Sequence, residues 1–366
     1  MKNDRRAGTS PGKRKGLEEV ANSDGVIAAL AIDQRSAMRK LFAKAMGIDE
    51  ANVPSEKLIE YKAAVSRILT PFASAILLDP EYGLPAAKQR AKIAGLLLAY
   101  EQTGYDTRVP GRLPHLLEEW SVHRLVEEGA NSVKILLYYS TTSTPAINEQ
   151  KHAFVERVAA ECVAADVPFF LELVSYAEGI EDRSADFARL KPDVVAGGIR
   201  EFSKPRYGVD VLKVGMPVNL AYTEGSPSAA AEILYQRDEA IEHYRTAAAA
   251  ASVPFIYLSE GVSNEMFLFG LELAAEAAVD YSGVLCGRAT WQDGVPVFVS
   301  RGLNALEDWL RREGVQNIEN VNRRLTGATP WFERSLVPLG NSGGQHLTPM
   351  HKDSGRTGRV GAKRED

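Results

Sequence analysis

Two lysines stand inside apolar stretches of the sequence, where a charged side chain is costly to bury. Lys134 lies in the stretch Val-Lys-Ile-Leu-Leu, and Lys213 lies in Val-Leu-Lys-Val. An ammonium group rarely leaves water without a partner, because its desolvation costs free energy. Two amines close together favour the neutral form of one of them, which is a nucleophile. Such an amine attacks a ketone to form an imine, which accepts the electron pair of a breaking carbon–carbon bond.

Two acids complete this candidate catalytic set. Glu172 lies in the apolar stretch Phe-Phe-Leu-Glu-Leu, and Asp33 directly follows another one. Such carboxylates can move protons while a carbinolamine forms and loses water, and while the C3–C4 bond breaks. The alternative is a structural ion pair between a lysine and a glutamate, which barrels also contain. Because all four groups occur at such positions, the sequence favours catalysis by Lys213, Lys134, Glu172 and Asp33.

The elements that would position these groups are eight apolar stretches of strand length, separated by amphipathic stretches of helix length. The stretches are Val26–Ile32, Phe72–Leu78, Gly95–Tyr100, Ser132–Tyr139, Pro168–Val174, Val209–Val214, Pro254–Leu258 and Ser282–Gly287. Near-continuous apolar strands are typical of a parallel sheet covered by helices. Eight strand–helix units predict an α/β protein with one (β/α)8 barrel domain over residues 16–339. The alternative is a doubly wound open sheet, but no Gly-x-Gly-x-x-Gly motif follows the first strand and eight strands would be many.

Three helices are predicted from local patterns. The first two show an apolar stripe, formed by Leu113, Leu116, Leu117 and Trp120 in one helix and by Val155, Val158, Ala159 and Cys162 in the other. The third opens at Pro54 and Ser55 and carries Glu56 in its first turn.

The loops after strands seven and eight indicate a phosphate site. Barrels often bind phosphate there, because backbone N–H groups and a helix N-terminus converge. Here the loops contain Ser259, Gly261, Gly287 and Arg288. The glycines permit a close backbone approach, the serine can donate a hydrogen bond, and the arginine supplies a planar cation. The alternative is a tight turn beside a surface arginine.

Metal chemistry is not expected from the histidines or the cysteines. No histidine stands at a predicted strand end, and neither a His-x-His nor a His-Glu-x-x-His motif occurs. The two cysteines lie among apolar neighbours and are interpreted as core residues. The sequence therefore predicts an organic nucleophile with no metal and no cofactor. The six histidines are His115, His123, His152, His243, His346 and His351.

The net charge of −5 is spread unevenly along the chain. Residues 1–15 carry six Lys/Arg against one acid, and residues 340–366 carry five against three. Both ends are rich in Gly, Ser, Lys and Arg and are predicted to be disordered. Because the segment between them is acidic, a nucleic-acid partner is not expected. No apolar stretch is long enough for a membrane span and no signal peptide is apparent, so a cytoplasmic location is expected.

Eight segments in the same order and at similar spacing resemble the tagatose 1,6-bisphosphate aldolase family of class I aldolases. The likeness runs from about residue 16 to about residue 333 and is carried by ALAIDQRSAM, ILLDPEYGL, GLLLAYEQTGY, VKILLYY, PFFLELVSY, GVDVLKVGMPVN, IYLSEGVS and GVLCGRATW. The resemblance implies a metal-independent enzyme that acts on a small-molecule ketose phosphate. It would cleave tagatose 1,6-bisphosphate, and also related bisphosphates such as fructose 1,6-bisphosphate, to dihydroxyacetone phosphate and glyceraldehyde 3-phosphate.

The resemblance also implies roles for particular residues. Lys213 matches the Schiff-base lysine, Lys134 and Glu172 match a catalytic pair, and Asp33 matches an active-site acid. The phosphate contacts match Ser259, Gly287 and Arg288, and residues lining the same pocket match Gln34 and Arg35. Barrel aldolases often assemble as dimers or tetramers, so a homo-oligomer is an open expectation.

The sequence departs from the family pattern at two positions that bear on the substrate. Gly215 stands where the family commonly has a glutamate, and Glu260 stands where a small residue is typical. A carboxylate near a phosphate is repulsive unless it points away or pairs with a cation. The loop after Tyr139 also lacks acids often found there. Two alternatives stay open: an aldolase for another ketose 1-phosphate, such as a sulfonated or deoxy sugar, or a non-catalytic sugar-phosphate sensor.

Overall fold

The computed structural model describes residues 9–334, and within them eight parallel strands close into a barrel in chain order. The strands are β1 (Ile27–Ala31), β2 (Ala75–Leu78), β3 (Gly95–Ala99), β4 (Ser132–Tyr139), β5 (Phe169–Ser175), β6 (Val211–Val214), β7 (Phe255–Leu258) and β8 (Gly283–Cys286). Seven of the eight predicted stretches contain one strand each, and β5 extends one residue beyond the fifth stretch. The predicted (β/α)8 barrel is therefore confirmed, and the open sheet is excluded because β1 pairs with β8.

Helices surround the barrel; in residues 9–334 one precedes β1, eight lie between successive strands and three follow β8. They are α1 (Pro11–Val20), α2 (Ser36–Met46), α3 (Ser55–Leu69), α4 (Leu84–Ala87), α5 (Val122–Glu127), α6 (Pro145–Ala164), α7 (Ala185–Phe202), α8 (Arg237–Ala249), α9 (Asn264–Glu276), α10 (Arg288–Trp291), α11 (Gly294–Trp309) and α12 (Val315–Arg324), with a π-helical turn at Leu310–Gly314 between the last two. The third predicted helix is α3, with Glu56 in its first turn. The predicted stripe of Val155, Val158, Ala159 and Cys162 is the buried face of α6.

The segment from 113 to 120 is not the helix that its leucine spacing predicted. It is an irregular loop that folds back on the end of β3 through an isolated antiparallel bridge between Glu101 and Leu116. The backbone hydrogen bonds run from Gln102 N to His115 O at 2.8 Å and from Leu117 N to Tyr100 O at 3.1 Å. Pro114 lacks an N–H group and disfavours a helical residue before it, so a helix across this segment is costly.

Helix α1 corrects the predicted start of the ordered domain, because residues 11–15 belong to this helix rather than to a disordered arm. Leu17 and Val20 pack into a buried cluster with the inward-facing residues of the barrel. The ammonium group of Lys13 lies 2.7 Å from the carboxylate of Asp210, directly before β6. Tertiary contacts thus hold a segment whose glycines and lysines look like linker sequence. The other residues of the predicted arm, 1–8, and the predicted tail, 340–366, lie outside the described residues.

The register of the barrel brings the candidate catalytic side chains onto its inner face. Glu172 on β5 is directly opposite Lys213 on β6, and Lys134 on β4 is opposite Ala99 on β3. Paired residues of neighbouring parallel strands point to the same side of the sheet. Below them the interior is filled by apolar side chains such as Leu97, which form a dry floor.

Both cysteines are buried, which confirms that they are core residues. Among residues 9–334, no helix is long and apolar enough to cross a membrane.

Candidate active site

Lys134 is the centre of a buried ionic cluster at the C-terminal end of the barrel. Its Nζ atom lies 2.8 Å from a carboxylate oxygen of each of three acids, Asp33, Glu101 and Glu172. Its side chain is fully buried, so a cation here depends on these acids. Their combined charge outweighs the desolvation of the amine.

Lys213 joins the cluster through one shared oxygen. Its Nζ donates a hydrogen bond of 2.8 Å to Oε2 of Glu172, the same atom that lies 2.8 Å from Lys134. Lys213 has this one carboxylate within ion-pair distance in the described part of the chain. The two amines are therefore in different environments, since one faces three acids and the other faces one.

The pKa shifts follow from this arrangement. Burial opposes the charge on Lys134, but the surrounding carboxylates raise its pKa well above the ordinary value. Burial also opposes ionisation of Asp33 and Glu172, yet the nearby ammonium groups lower the pKa of both acids. For Glu101 burial dominates and raises the pKa, with the neighbouring Asp33 carboxylate adding to the effect. The site thus holds two carboxylates with lowered pKa values, Asp33 and Glu172, beside a lysine that stays charged.

Sequence reasoning missed Glu101. Glu101 lies two residues beyond the end of β3, and Asp33 lies two residues beyond the end of β1. Both side chains are therefore at the C-terminal end of the barrel. One carboxylate oxygen contacts Lys134, and the other, Oε2, is buried without a hydrogen-bond partner in the described chain. The available signal is an acid directly after the apolar stretch Gly95–Tyr100, in the same position as Asp33 after the first stretch.

Gln34 and Arg35, the two predicted pocket residues, have different surroundings. Gln34 Nε2 donates to Asp33 Oδ1 at 3.1 Å, and its Oε1 is buried with no partner in the range 9–334. Arg35 instead donates to Glu81 Oε2 at 2.7 Å and to the backbone carbonyl of Glu101 at 2.8 Å. The guanidinium group of Arg35 therefore holds Glu101 in place, whereas Gln34 has a buried acceptor atom that no described residue pairs with.

Lys62 fixes the backbone that carries Asp33. From α3 its Nζ donates to the carbonyls of Ile32 at 2.8 Å and Gln34 at 3.0 Å, and it forms a short ion pair with Asp79. Both Lys62 and Asp79 are completely buried. Asp79, which ends β2, is therefore a structural partner that locates Asp33.

The predicted phosphate residues come together at the ends of β7 and β8. The backbone N–H of Gly287 donates to Ser259 Oγ at 3.4 Å. Gly261 has a φ of +73°, and a Cβ atom there would lie 2.3 Å from Cζ of Arg288. Glycine is thus the residue that lets the arginine lie against the loop. All four predicted residues lie in one place.

This group has free donors that suit an anion. Within residues 9–334, the Arg288 guanidinium forms neither an ion pair nor a hydrogen bond, and the N–H groups of Glu260 and Gly261 donate to no protein acceptor. Burial lowers the pKa of Arg288, although an arginine stays protonated. A partly buried cation beside free backbone donors is the kind of site that binds phosphate.

The two departures from the family pattern contact each other. Glu260 follows Ser259, but its Oε2 points to Lys191 Nζ at 2.8 Å. A Cβ atom on Gly215 would lie 2.4 Å from Oε1 of Glu260. The carboxylate of residue 260 therefore occupies space that a side chain at residue 215 would need, and a cation neutralises it.

The fold and these side chains define a barrel enzyme with a buried amine, an adjacent carboxylate and an anion-binding loop pair. In the described chain, no group of three or more His, Cys, Asp or Glu side chains is arranged to hold a metal ion. The three acids around Lys134 are instead arranged to bind an ammonium group.

Comparison with known proteins places the chain in a family. Residues 27–293 match the model described as DeoC/LacD family aldolase. The chain is 50% identical over 332 residues to the tagatose 1,6-diphosphate aldolase 2 of Enterococcus faecalis, covering 90% of this chain and 98% of that protein. It is 48% identical over 320 residues to the tagatose 1,6-diphosphate aldolase of Staphylococcus aureus, covering 87% and 97%. This protein belongs to the DeoC/LacD family of aldolases.

Solved structures support the fold alone. A Schiff-base-forming fructose 1,6-bisphosphate aldolase superposes with a TM-score of 0.51 at 16% identity, over 84% of this chain and 97% of that one. An archaeal fructose 1,6-bisphosphate aldolase superposes with a TM-score of 0.54 at 15% identity, over 86% of this chain and 98% of that one.

Proposed function

We propose that this protein is a class I aldolase that cleaves tagatose 1,6-bisphosphate to dihydroxyacetone phosphate and glyceraldehyde 3-phosphate, with Lys213 as the imine-forming residue. The proposal rests on one observation above all: Lys213 and Lys134 share Oε2 of Glu172, each at 2.8 Å. Family membership and the names of relatives about half identical to this chain support the substrate. Fructose 1,6-bisphosphate is a further expected substrate.

In the first half of the reaction, the neutral amine of Lys213 attacks C2 of the ketose. The new C–N bond forms as the carbonyl electron pair moves to oxygen, and a carbinolamine results. Glu172, which has already accepted one proton from Lys213, gives it to the alkoxide oxygen. It then accepts a second proton from the nitrogen and passes it to the hydroxyl, which leaves as water. Lys134 keeps its proton throughout, because three carboxylates stabilise its charge. The product is an iminium ion on Lys213.

In the second half, the C3–C4 bond breaks. Asp33 accepts the proton of the C4 hydroxyl, C4 becomes the aldehyde of glyceraldehyde 3-phosphate, and the bonding pair moves into the iminium ion to give an enamine. Protonation of the enamine at C3 and addition of water then release dihydroxyacetone phosphate and regenerate the amine. Every proton taken up by a carboxylate is returned within one turnover.

The 1-phosphate is assigned to the loops after β7 and β8. Ser259, Gly261, Gly287 and Arg288 supply a hydroxyl, backbone approach and a cation there. Holding this group fixes C2 relative to the amine, and such positioning lowers the barrier to attack. Gln34, whose Oε1 atom lacks a partner, is proposed to accept a hydrogen bond from a substrate hydroxyl.

A rate comparison tests the substrate assignment. Cleavage of tagatose and fructose 1,6-bisphosphates is measured beside that of ketose 1-phosphates, and the Arg288→Met variant is measured in parallel. We expect the highest kcat/KM for a bisphosphate. In the variant, which lacks the cation of the anion site, we expect kcat/KM to fall tenfold or more, which corresponds to about 1.4 kcal/mol. A higher kcat/KM for a singly phosphorylated or sulfonated ketose would instead support an aldolase for another ketose 1-phosphate.

A further inference from the structure

Three residues beside the anion-binding loops have no part in the reaction described above: Lys191, Gly215 and Glu260. Lys191 reaches from α7, and its Nζ donates to Glu260 Oε2 at 2.8 Å and to the backbone carbonyl of Val218 at 3.3 Å. The side chain of Lys191 is 7% exposed and that of Glu260 is 30% exposed. The ion pair therefore joins α7 to the loop after β7 across the end of β6.

Because Gly215 has no side chain, it leaves the space that the Glu260 carboxylate occupies. A Cβ atom there would lie 2.4 Å from Oε1 and 2.9 Å from the carboxylate carbon of Glu260. Real Cβ atoms essentially never approach another atom within 3.0 Å, so any other residue at 215 would displace the carboxylate. Gly215 is two residues beyond Lys213, which puts the pair close to the reacting amine.

The backbone of Glu260 needs such an anchor. Its φ is +48°, in the left-handed region that non-glycine residues disfavour, and Gly261 follows at +73°. These two left-handed residues turn the loop so that Gly261 lies against Arg288. An unfavourable conformation persists when surrounding contacts determine it, and here the contact is the ion pair with Lys191.

The ion pair of Lys191 and Glu260 also controls the charge beside the anion-binding loops. An isolated carboxylate on residue 260 would lie one residue from Gly261 and would repel a bound phosphate. The Lys191 ammonium neutralises it, so the loop keeps its conformation without adding net negative charge to the anion site.

We propose that Glu260 is a positioning residue for the phosphate: held by Lys191 in the space left by Gly215, it fixes the loop that presents Ser259 and Gly261 to the anion. The proposal rests on the proposed function for the identity of the substrate, but it concerns any phosphate bound at this loop. Glu260 acts through the loop and does not touch the reacting atoms.

The first test measures binding of inorganic phosphate by calorimetry. In Lys191→Met the carboxylate loses its partner, so we expect affinity to fall roughly tenfold, which corresponds to about 1.4 kcal/mol. In Glu260→Gln the amide can still accept from the lysine, and affinity should stay within about threefold of the unmodified protein. The double variant Lys191→Met/Glu260→Gly has neither the unpaired carboxylate nor a non-glycine residue at positive φ, so it should recover most of what Lys191→Met loses. Unchanged affinity in Lys191→Met, or no recovery in the double variant, overturns the proposal.

The second test uses the steric relation with Gly215. Borohydride trapping at Lys213 is compared for dihydroxyacetone phosphate and for unphosphorylated dihydroxyacetone. Gly215→Ala should reduce trapping of the phosphate and spare trapping of the unphosphorylated ketone. In a Glu260→Gly background the same alanine should have no further effect, since no carboxylate remains to be displaced. An equal effect of the alanine in both backgrounds, or equal loss with both ketones, contradicts the proposal.

A matched control and the two readouts separate this proposal from the proposed function. Glu272 on α9, whose side chain is 39% exposed against 30% for Glu260, forms an ion pair of 2.7 Å with Arg237, and Glu272→Ala should leave phosphate affinity unchanged. If phosphate affinity follows the expected pattern while no ketone is trapped, the proposed function fails and the role of Glu260 stands. If trapping is normal while Lys191→Met binds phosphate normally, the role of Glu260 fails alone.

Discussion

Glu172 lies between the two buried amines and contacts both through the same oxygen, Oε2. Lys134 faces three carboxylates at 2.8 Å, which keep it charged, whereas Lys213 faces Glu172 alone. An amine must lose its proton before it can attack a ketone, and the three acids around Lys134 keep that amine charged. At the scale of single residues, this contrast is the basis for proposing Lys213 as the nucleophile and Lys134 as the fixed cation that orders the acids.

Glu172→Gln tests this division of roles. The amide keeps the shape of the side chain but cannot accept a proton, so we expect kcat to fall about 10²–10⁴-fold. Glu101→Gln is the matched control, because it also removes one carboxylate from Lys134 but none from Lys213. A smaller loss is expected there. Equal losses in both variants, measured by steady-state kinetics, would mean that the charge on Lys134 and not proton transfer at Lys213 limits the reaction.

At the scale of elements, α3 sets the position of the acid at the end of β1. Lys62 on this helix binds the carbonyls on both sides of Asp33 and pairs with Asp79 at the end of β2. A fully buried ion pair is costly to break, because the remaining charge has no solvent. One side chain thus ties a helix and two strands together directly beneath the active site.

Lys62→Met should destabilise the protein by about 3–5 kcal/mol, since it leaves Asp79 buried and unpaired. Urea unfolding measures the change. Adding Asp79→Asn removes the orphaned charge and should restore part of the stability. A Lys62→Met variant within about 1 kcal/mol of the unmodified protein would show that the pair contributes little.

A second lysine between elements makes stability depend on pH. Lys151 on α6 is fully buried and donates to the hydroxyl of Tyr176, directly after β5, at 3.0 Å. No acid lies within ion-pair distance of it among residues 9–334, and burial lowers its pKa from 10.5 to about 7, with nearby Arg112 adding to the effect against the pull of Glu178. Between pH 7 and 10.5 the unfolded chain therefore binds more protons at this group than the folded chain does. Folding stability from this group is lowest at or below pH 7 and rises as the pH increases through that window.

Lys151→Met removes this pH dependence. The variant should gain stability relative to the unmodified protein at pH 6–7, and the gain should shrink by roughly 1–3 kcal/mol toward pH 9–10. The hydrogen bond lost to Tyr176 reduces the gain equally at all pH values. Lys15→Met, at a 75% exposed side chain, serves as control and should give a flat difference in thermal unfolding. A flat difference for Lys151→Met as well would contradict the lowered pKa.

At the scale of the whole molecule, the barrel was readable from the sequence because its strands are buried on both faces. Each strand then becomes a nearly continuous apolar stretch, and a lysine or glutamate inside it stands out. The inward positions of Lys134, Glu172 and Lys213 follow from that contrast. The contact between Gly215 and Glu260 could not be predicted, because it depends on two loops from different strands and on a lysine from α7.

The parts that sequence reasoning missed depend on tertiary contacts. Helix α1 contains glycines and lysines that look like linker sequence, and it is held by Leu17, Val20 and the ion pair of Lys13 with Asp210. The leucines from 113 to 117 have helical spacing, but they belong to a loop that pairs with the end of β3. Glu101 takes part in that pairing, so its position beside Lys134 could not be predicted from the local sequence.

The measurement that tests the central claim most directly is reductive trapping. The protein is incubated with dihydroxyacetone phosphate and borohydride, and peptide mass analysis locates the adduct. The account predicts one irreversible addition at Lys213, none in Lys213→Met, and none at Lys134. An unmodified Lys213 in protein that binds dihydroxyacetone phosphate, or an adduct at Lys134 instead, would contradict it.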